Sequence, residues 1–214
     1  MTHDESHDRR PHEHRPHPPQ PDVEESELTH HMALTEAVAD LLIAKGIISA
    51  EEMRRTLETI DAKSPADGAR VVARAWADAP FRTRLLKDVN AAVAELGLDA
   101  GDIPIKAVEN TATLHNLIVC TLCSCYPRLL IGLPPDWYKS RAYRSRAVRE
   151  PRLVLREFGV VLPEDVRVEV HDSTADLRYL VLPMRLAGTE GWSEERLAAT
   201  VTRDCMIGTA LPRV

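Results

Sequence analysis

The chain has 214 residues, of which 44% are hydrophobic, and a formal net charge of -6 at neutral pH. This length can bury one core with room for a helical extension or a tail, and the negative charge gives no general attraction to nucleic acid. No apolar run reaches the roughly 20 residues that span a bilayer, and no apolar secretory segment precedes the polar start, so we expect a soluble cytoplasmic protein without nucleic-acid or membrane partners.

Residues 1–27 form a separate compositional class, rich in histidine and proline. Such a segment cannot build a hydrophobic core, so it is predicted to be a disordered polar tail. A loose reservoir for cobalt or nickel is the alternative, because imidazole binds both metals well.

Residues 28–102 follow a helical pattern, and four helices are predicted before any strand. Their apolar stripes are narrow, so each helix alone would be marginal. This helical arm either embraces a partner subunit or forms a layer over the domain's own core, and the sequence leaves both open. The boundary signals are Gly46, Ser49 with Glu52, Ser64 before Pro65, and Asp78 before Pro80 with Gly97.

Two short β-branched runs, residues 103–108 and 114–119, are predicted to form a hairpin or strand pair that leads into a cluster of cysteines. Three prolines are predicted to keep residues 127–135 irregular, and helices are expected from about Asp136 and from Pro151 to Gly159. Two further strands are predicted at residues 166–170 and 177–181, and Ser193 is predicted to cap a final helix that runs to about residue 201. This succession indicates an α+β fold.

Three of the four cysteines, Cys120, Cys123 and Cys125, lie within six residues. If the amides of Ser124 and Cys125 lose their protons, they can join the thiolates of Cys123 and Cys125 in one plane around a metal, with Cys120 as an axial donor. Such ligation suits low-spin trivalent cobalt or iron better than zinc, and the open sixth position is typical of a catalytic site. A zinc site completed by Cys205 and a disulfide are the alternatives; Cys205 itself is predicted to be a small buried core residue.

Seven lysines and arginines between residues 139 and 156 form a basic run. We interpret it as a solvated or partner-facing helix face, because no aromatic stacking platform for nucleic acid accompanies it. Some of these arginines are expected to pair with Glu150 and with carboxylates of a second subunit. His115 and His171 lie in predicted strands, where packed or hydrogen-bonded histidines are commoner than metal ligands.

The run Cys120-Thr121-Leu122-Cys123-Ser124-Cys125 resembles the metal motif of the α subunit of cobalt-type nitrile hydratases, whose iron-type relatives usually have serine at the position of Thr121. The similarity continues through residues 132–139, 148–152, 182–185, 188–193 and 201–208. It implies a four-layered α-β-β-α domain preceded by a helical arm. We therefore expect a tail at 1–27, the arm at 28–102 and a metal-binding catalytic domain at 103–214.

The resemblance also implies the chemistry, which is the hydration of a nitrile to an amide at Co(III), with Fe(III) as the alternative metal. Cys123 becomes a sulfinic acid, Cys125 becomes a sulfenic acid, and Cys120 stays a thiolate, while Ser124 hydrogen-bonds near the substrate. The nucleophile is either the sulfenate oxygen of Cys125 or a metal-bound hydroxide. A β-type subunit, as one chain or two shorter ones, supplies arginines that hold these oxygens, so this chain alone is expected to be inactive.

One departure from the family bears on the substrate. Nitrile hydratases commonly have tryptophan after the proline that follows the motif, whereas this chain has Tyr126-Pro127-Arg128, which looks like thiocyanate hydrolase. Residues 132–139 are closer to ordinary nitrile hydratases, which we favour; three-subunit enzymes acting on bulky heteroaromatic nitriles such as toyocamycin would reconcile both features. Arg128 is thus a candidate pocket residue. The alternatives are a thiocyanate hydrolase metal-binding subunit and a non-catalytic cobalt-binding or redox-sensing module.

Overall fold

The computed structural model describes residues 30–214, so the predicted tail at residues 1–27 lies outside the described residues. The elements in chain order are α1 (His30–Ala44), α2 (Ala50–Asp61), α3 (Pro65–Ala77), α4 (Ala79–Lys87), α5 (Val89–Ala94), β1 (Ile105–Glu109), β2 (Leu114–Val119), α6 (Arg128–Ile131), α7 (Asp136–Lys139), α8 (Arg141–Arg149), α9 (Pro151–Glu157), β3 (Arg167–Asp172), β4 (Arg178–Leu182), α10 (Glu194–Ala198) and α11 (Arg203–Ile207).

Most of the predicted helix starts are confirmed. Ser49 and Glu52 form the capping box of α2, in which the Glu52 amide donates to Ser49 Oγ and the Ser49 amide donates to Glu52 Oε2. Ser64 and Asp78 cap α3 and α4 with their side-chain oxygens. Gly46 follows α1 with a φ of +66°, the left-handed conformation expected of a terminating glycine.

The single helix predicted from Asp78 to Gly97 is wrong, because the chain breaks at Asp88 into α4 and α5. The backbone of Asp88 is extended, with a φ of -154°, and its side chain accepts a hydrogen bond from the amide of Ala91. An aspartate that caps a new helix competes with continuation of the old one. The break lets Leu85 and Val93 both enter the core, where each is fully buried.

The predicted hairpin of residues 103–108 and 114–119 is also wrong. The strand β1 pairs in parallel with β4, and β2 pairs in parallel with β3, so the two runs enter different sheets. Between the two strands, Thr111 and Leu114 form an isolated antiparallel bridge. Residues 115–119 of β2 are all buried, a pattern of strands covered on both faces in parallel pairing rather than of a half-exposed hairpin.

The two sheets pack face to face, because β2 contacts both β1 and β4. Helices α4, α5 and α11 contact the β1–β4 sheet, while α8 lies on β2 and α9 lies on β3. The order is therefore helices, sheet, sheet, helices, and the expected α+β fold is confirmed. Its core brings together Phe81 and Leu85 from the first helical layer, Leu117 and Leu180 from the sheets, and Leu155 from the second helical layer.

The helices of the predicted arm differ in burial. The helices α1 and α2 contain no buried residue, whereas α3, α4 and α5 contribute to the same core as the strands. The exposed helices α1 and α2 fit an arm that embraces a partner subunit, whereas α3, α4 and α5 fit a layer over the domain's own core. The domain boundary at residue 102 itself stays a prediction. Within residues 30–214, no helix is both long and apolar enough to cross a membrane.

Two short helices depart from the prediction. The helix α6 lies inside the segment expected to be irregular; it starts directly after Pro127, where proline is tolerated, and ends at Gly132, whose φ is +76°. The final helix, predicted from Ser193 to about residue 201, ends at Ala198 instead. A further helix, α11, follows because Thr202 accepts a hydrogen bond from the amide of Cys205 and begins a new turn.

A buried polar network lies at the amino end of β2. His115 Nε2 is 2.7 Å from the carbonyl oxygen of Gly208, and His115 Nδ1 is 3.3 Å from the side-chain nitrogen of Asn110. Asn110 Oδ1 accepts from the backbone and side-chain nitrogens of Asn116, whose own oxygen accepts from His171 Nε2 at 2.8 Å. These bonds join α11 to β2 and β2 to β3, so both histidines are tied into the fold.

Candidate metal centre

The cysteine claw (residues 120–125) begins directly after the last residue of β2, as predicted. Val119, which ends β2, stands in register with Asp172, which ends β3. Because parallel strands end at the same edge of a sheet, the claw and the end of β3 are neighbours. The first residue of the claw, Cys120, is fully buried, whereas Thr121, Leu122, Cys123 and Ser124 are exposed.

The three sulfur atoms of the claw converge. The Sγ atoms of Cys120 and Cys123 are 3.5 Å apart, and those of Cys123 and Cys125 are 3.2 Å apart. All three lie within 4.8 Å of one another, a grouping that could hold a metal ion. Thiolate donors suit cobalt, iron and zinc rather than magnesium or calcium, so the donor set fits the predicted class of metal.

The thiols of the claw influence each other's protonation. Hydrogen bonds from Cys125 and Cys120 lower the pKa of the Cys123 thiol. Burial, with the hydrogen bond to Cys123 next, raises the pKa of the Cys125 thiol to about 12. Since metal ligation requires thiolates, binding of a metal by this cluster would release protons to solvent.

Two side chains from distant parts of the sequence hold the backbone of the claw. Asp172 accepts from the amide of Thr121 at 2.9 Å and from its hydroxyl at 2.5 Å. Arg144 Nη2 donates to the carbonyl oxygens of Thr121 and Leu122, at 3.0 and 2.8 Å. Asp172 was not among the residues that the sequence singled out, and Arg144 was predicted only to lie on a solvated or partner-facing helix.

A buried aromatic cluster lies beneath the claw. The hydroxyl of Tyr138 donates to the carbonyl oxygen of Cys125 at 3.0 Å, and that of Tyr143 donates to the carbonyl oxygen of Ile118 at 2.6 Å. Burial raises the pKa of both tyrosines well above the usual value, so both stay neutral donors. The ring of Trp137 packs edge-on against Tyr143, with centroids 4.8 Å apart. Packed rings therefore hold the last residue of the claw and the β2 residue that lies two positions before its start.

Cys205 is separate from the claw. It lies on α11, is fully buried, and its sulfur is 3.2 Å from the hydroxyl of Thr202. It does not belong to the cluster of three sulfurs, so the described chain does not form the four-thiolate zinc arrangement. The prediction of a small core residue is confirmed.

Arg128 is the first residue of α6 and is exposed. It lines a surface cavity of about 430 Å³ together with Tyr126, Leu129 and Arg178, and no claw cysteine lines this cavity. Within residues 30–214, the Arg128 guanidinium has no hydrogen-bond or ion-pair partner. Arg128 is thus beside the claw in sequence and available to a ligand or a partner chain.

Comparison with known proteins places these features in one family. Residues 29–210 match the sequence model of the nitrile hydratase α chain. The chain is 48% identical to the low-molecular-weight cobalt-containing nitrile hydratase α subunit of Rhodococcus rhodochrous, over 84% of this chain and 88% of that one. It is 40% identical to the thiocyanate hydrolase γ subunit of Thiobacillus thioparus, over 91% and 84%.

A solved structure shows the same fold. The described chain superposes on a recombinant thiocyanate hydrolase with partially modified cobalt centres at a TM-score of 0.81, with 40% identity, covering 87% of this chain and 92% of the other.

Proposed function

The chain belongs to the nitrile hydratase α-chain family, and from that premise we propose that it is the metal-carrying α subunit of a cobalt-type nitrile hydratase. The convergence of three thiols at a strand end is the observation that carries the proposal. Cobalt is supported by Thr121 within the claw and by the cobalt-containing relative. We propose that the partner is a β-type subunit, as one chain or two shorter ones, which covers the exposed face at Cys123 and Ser124.

The proposed ligands are the sulfurs of Cys120, Cys123 and Cys125 with the backbone nitrogens of Ser124 and Cys125. Bound cobalt(III) would supply Lewis acidity towards a nitrile or a water molecule. Cys123 and Cys125 are proposed to carry sulfinic and sulfenic groups, which is consistent with their greater exposure compared with Cys120. These oxygens provide acceptors for the partner's donors.

The proposed reaction adds one water across the C≡N bond, so that the nitrile carbon gains oxygen and the nitrogen gains both protons as the amide forms. The chain's own residues orient the reactants. The exposed hydroxyl of Ser124 can hydrogen-bond the substrate. The sulfenate oxygen of Cys125 either positions the attacking water or is itself the nucleophile, in which case its S–O bond breaks and the water restores the sulfenate. The neutral hydroxyl of Tyr138 holds the Cys125 carbonyl and limits movement at the end of the claw.

Thiocyanate hydrolysis is the second candidate, and Arg128 is the observation that favours it. A free guanidinium beside the claw can donate to an anion, and the thiocyanate hydrolase relative matches 91% of the chain. The guanidinium plane can instead stack on a bulky heteroaromatic nitrile such as toyocamycin. The two substrate classes differ in charge, so they can be separated by assay.

The test uses the complex purified through this chain. Elemental analysis is expected to give about one cobalt per chain, since there is a single claw. Assays on aliphatic nitriles, heteroaromatic nitriles and thiocyanate should show nitrile hydration as the main activity, and mass spectrometry should find oxygen on Cys123 and Cys125. Stoichiometric zinc in active protein would contradict the metal. Reversible cysteine oxidation without turnover of any substrate would favour the non-catalytic cobalt-binding or redox-sensing alternative.

A further inference from the structure

One arginine of the basic helix α8 differs from its neighbours in what it contacts. Arg146 pairs with Glu150 and Glu157 in ion pairs within the second helical layer, and Arg149 bonds to Ser145 on its own helix. Arg144 instead reaches the claw, where one of its nitrogens donates to two successive carbonyl oxygens. The basic run is therefore not a uniform solvated face.

The two carbonyls held by Arg144 control the peptide planes in the first half of the claw. In a trans peptide the carbonyl and the N–H point in opposite directions from one rigid plane. The plane between Leu122 and Cys123 has its carbonyl bound by Arg144, and its N–H donates to Cys120 Sγ at 3.3 Å. Both ends of this plane are held, so the Arg144 contact fixes the direction of the amide that faces a metal-ligating sulfur.

Arg144 is also well supported by the helix that carries it. Ser140 caps the start of α8 through the amide of Tyr143, and the buried hydroxyl of Tyr143 is bonded to β2. The Nε atom of Arg144 is shielded from solvent and has no hydrogen-bond partner among the described residues. The two Nη2 bonds to the claw carbonyls lie on the exposed side of the guanidinium, and their charged donor makes them stronger than bonds from a neutral group.

We propose that Arg144 is a positioning residue that presets the claw backbone for metal. It touches no ligand sulfur, and it acts through the peptide planes of Thr121 and Leu122. Without it, residues 121–123 gain rotational freedom, so the apo claw samples more conformations and a bound metal is released more readily. The part of this inference that concerns metal rests on the proposed function, whereas the part that concerns backbone order does not.

The test compares Arg144→Ala with Arg149→Ala, because Arg149 lies on the same helix and its side-chain bonds to the described residues stay within that helix. In the complex purified through this chain, cobalt loss to a chelator is expected to be about tenfold faster for Arg144→Ala, since hydrogen bonds from a charged donor are removed. Arg149→Ala should match the wild type. Arg144→Lys should recover part of the difference, because an ammonium group can still donate to carbonyls.

A second measurement follows amide hydrogen exchange in the cobalt-free full chain. The peptide spanning the claw should exchange about tenfold faster in Arg144→Ala, while the peptides of β2 and β3 should not change. If both the cobalt release and the claw exchange of Arg144→Ala equal those of Arg149→Ala, the positioning role is overturned. If Arg144→Ala does not give folded protein, Arg144→Lys and Arg144→Gln are compared, and wild-type values in both overturn it equally. Absence of cobalt from the wild type would refute the proposed function, yet the exchange experiment would still test Arg144.

Discussion

The two ends of strand β2 differ in how their reactive groups are satisfied. At the amino end, His115 is 3% exposed, and both its ring nitrogens have partners within the protein. At the carboxyl end, the thiol of Cys123 has the sulfurs of Cys120 and Cys125 within hydrogen-bond distance, and part of the cluster is exposed. Histidine and cysteine are both versatile metal ligands. The two ends of β2 differ in how far the fold already uses the donors and acceptors of these side chains.

This difference distinguishes a structural polar network from a reaction site. A group whose donors and acceptors are all used by the fold has nothing left for a ligand, whereas converging thiols with an open face leave their donors free. The backbone of the claw is nevertheless as firmly held as the network, by Asp172, Arg144 and Tyr138. A preorganised site is expected to have a backbone fixed by hydrogen bonds and side chains that can still bind a ligand.

The largest expected effect comes from removing a sulfur at the carboxyl end. Cys125→Ala should abolish nitrile hydration, because it removes both a proposed ligand and the proposed sulfenate oxygen. Cys205→Ala is the matched control; its sulfur is buried outside the claw, so activity and cobalt should persist with a stability loss of about 1 kcal/mol. Turnover rates and cobalt content of the two purified complexes measure this. Loss of cobalt in Cys205→Ala would revive a four-thiolate site.

The next largest effect concerns the fold at the amino end. A Cβ added at Gly208 would lie 2.0 Å from the carbonyl oxygen of Asn116 in β2, and the φ of +95° also strains a side chain. Gly208→Ala should therefore lower the free energy of unfolding by about 4 kcal/mol or more.

Gly159→Ala is the control, because its φ is +83° but no heavy atom lies within 4 Å of the added Cβ. Conformational strain alone should cost about 1 kcal/mol there. Thermal unfolding of both variants gives the comparison, and equal losses would show that α11 does not need close contact with β2.

The sequence predicted the features that depend on residues close together in the chain. Capping residues such as Ser49, Ser64 and Asp78 act within three residues of themselves, and the three claw cysteines lie within six, so both could be interpreted from spacing. The strand order could not, because the parallel partners of β1 and β2 lie far along the chain and the short linker suggested a hairpin.

The same limit applies to the residues that support the claw. Asp172 is 51 residues from Thr121, and Arg144 is 22 residues from Leu122. Arg144 was one arginine among several in a basic run, and nothing in its spacing distinguished it. A carboxylate two residues after a predicted strand was the available signal for Asp172, since parallel strands bring their carboxyl ends together.

A moderate effect on specificity is expected for Arg128→Trp, which sharpens the carboxyl-end comparison. If the guanidinium lines the substrate site, kcat/KM for thiocyanate should fall about ten- to a hundredfold, because a charge-assisted hydrogen bond is lost. A bulky heteroaromatic nitrile should lose less, and a small aliphatic nitrile should change least. Equal losses on all three substrates would instead indicate that Arg128 supports assembly with the partner subunit.

The smallest effect is a pH dependence at the amino end. Burial lowers the pKa of His115 below its usual value, although the hydrogen bond to Gly208 opposes the shift. The neutral ring fits the network, with Nε2 donating to Gly208 and Nδ1 accepting from Asn110. If His115 took a second proton, its Nδ1–H would face the side-chain nitrogen of Asn110, which is also a donor. Rotating that amide by 180° would move away the oxygen that accepts from Asn116.

Because the folded pKa of His115 is depressed, its contribution to stability is present above the unfolded pKa of about 6.5 and is lost as pH falls below it. The loss can reach about 1.4 kcal/mol per pH unit until the folded ring itself takes a proton. Between pH 7.5 and 5, the unfolding temperature of the complex should therefore fall more steeply for the wild type than for His115→Gln. That variant keeps the similar contribution of His171 but lacks that of His115. Parallel curves would mean that the pKa of His115 does not change on folding, and the assignment of a buried neutral ring would then be wrong.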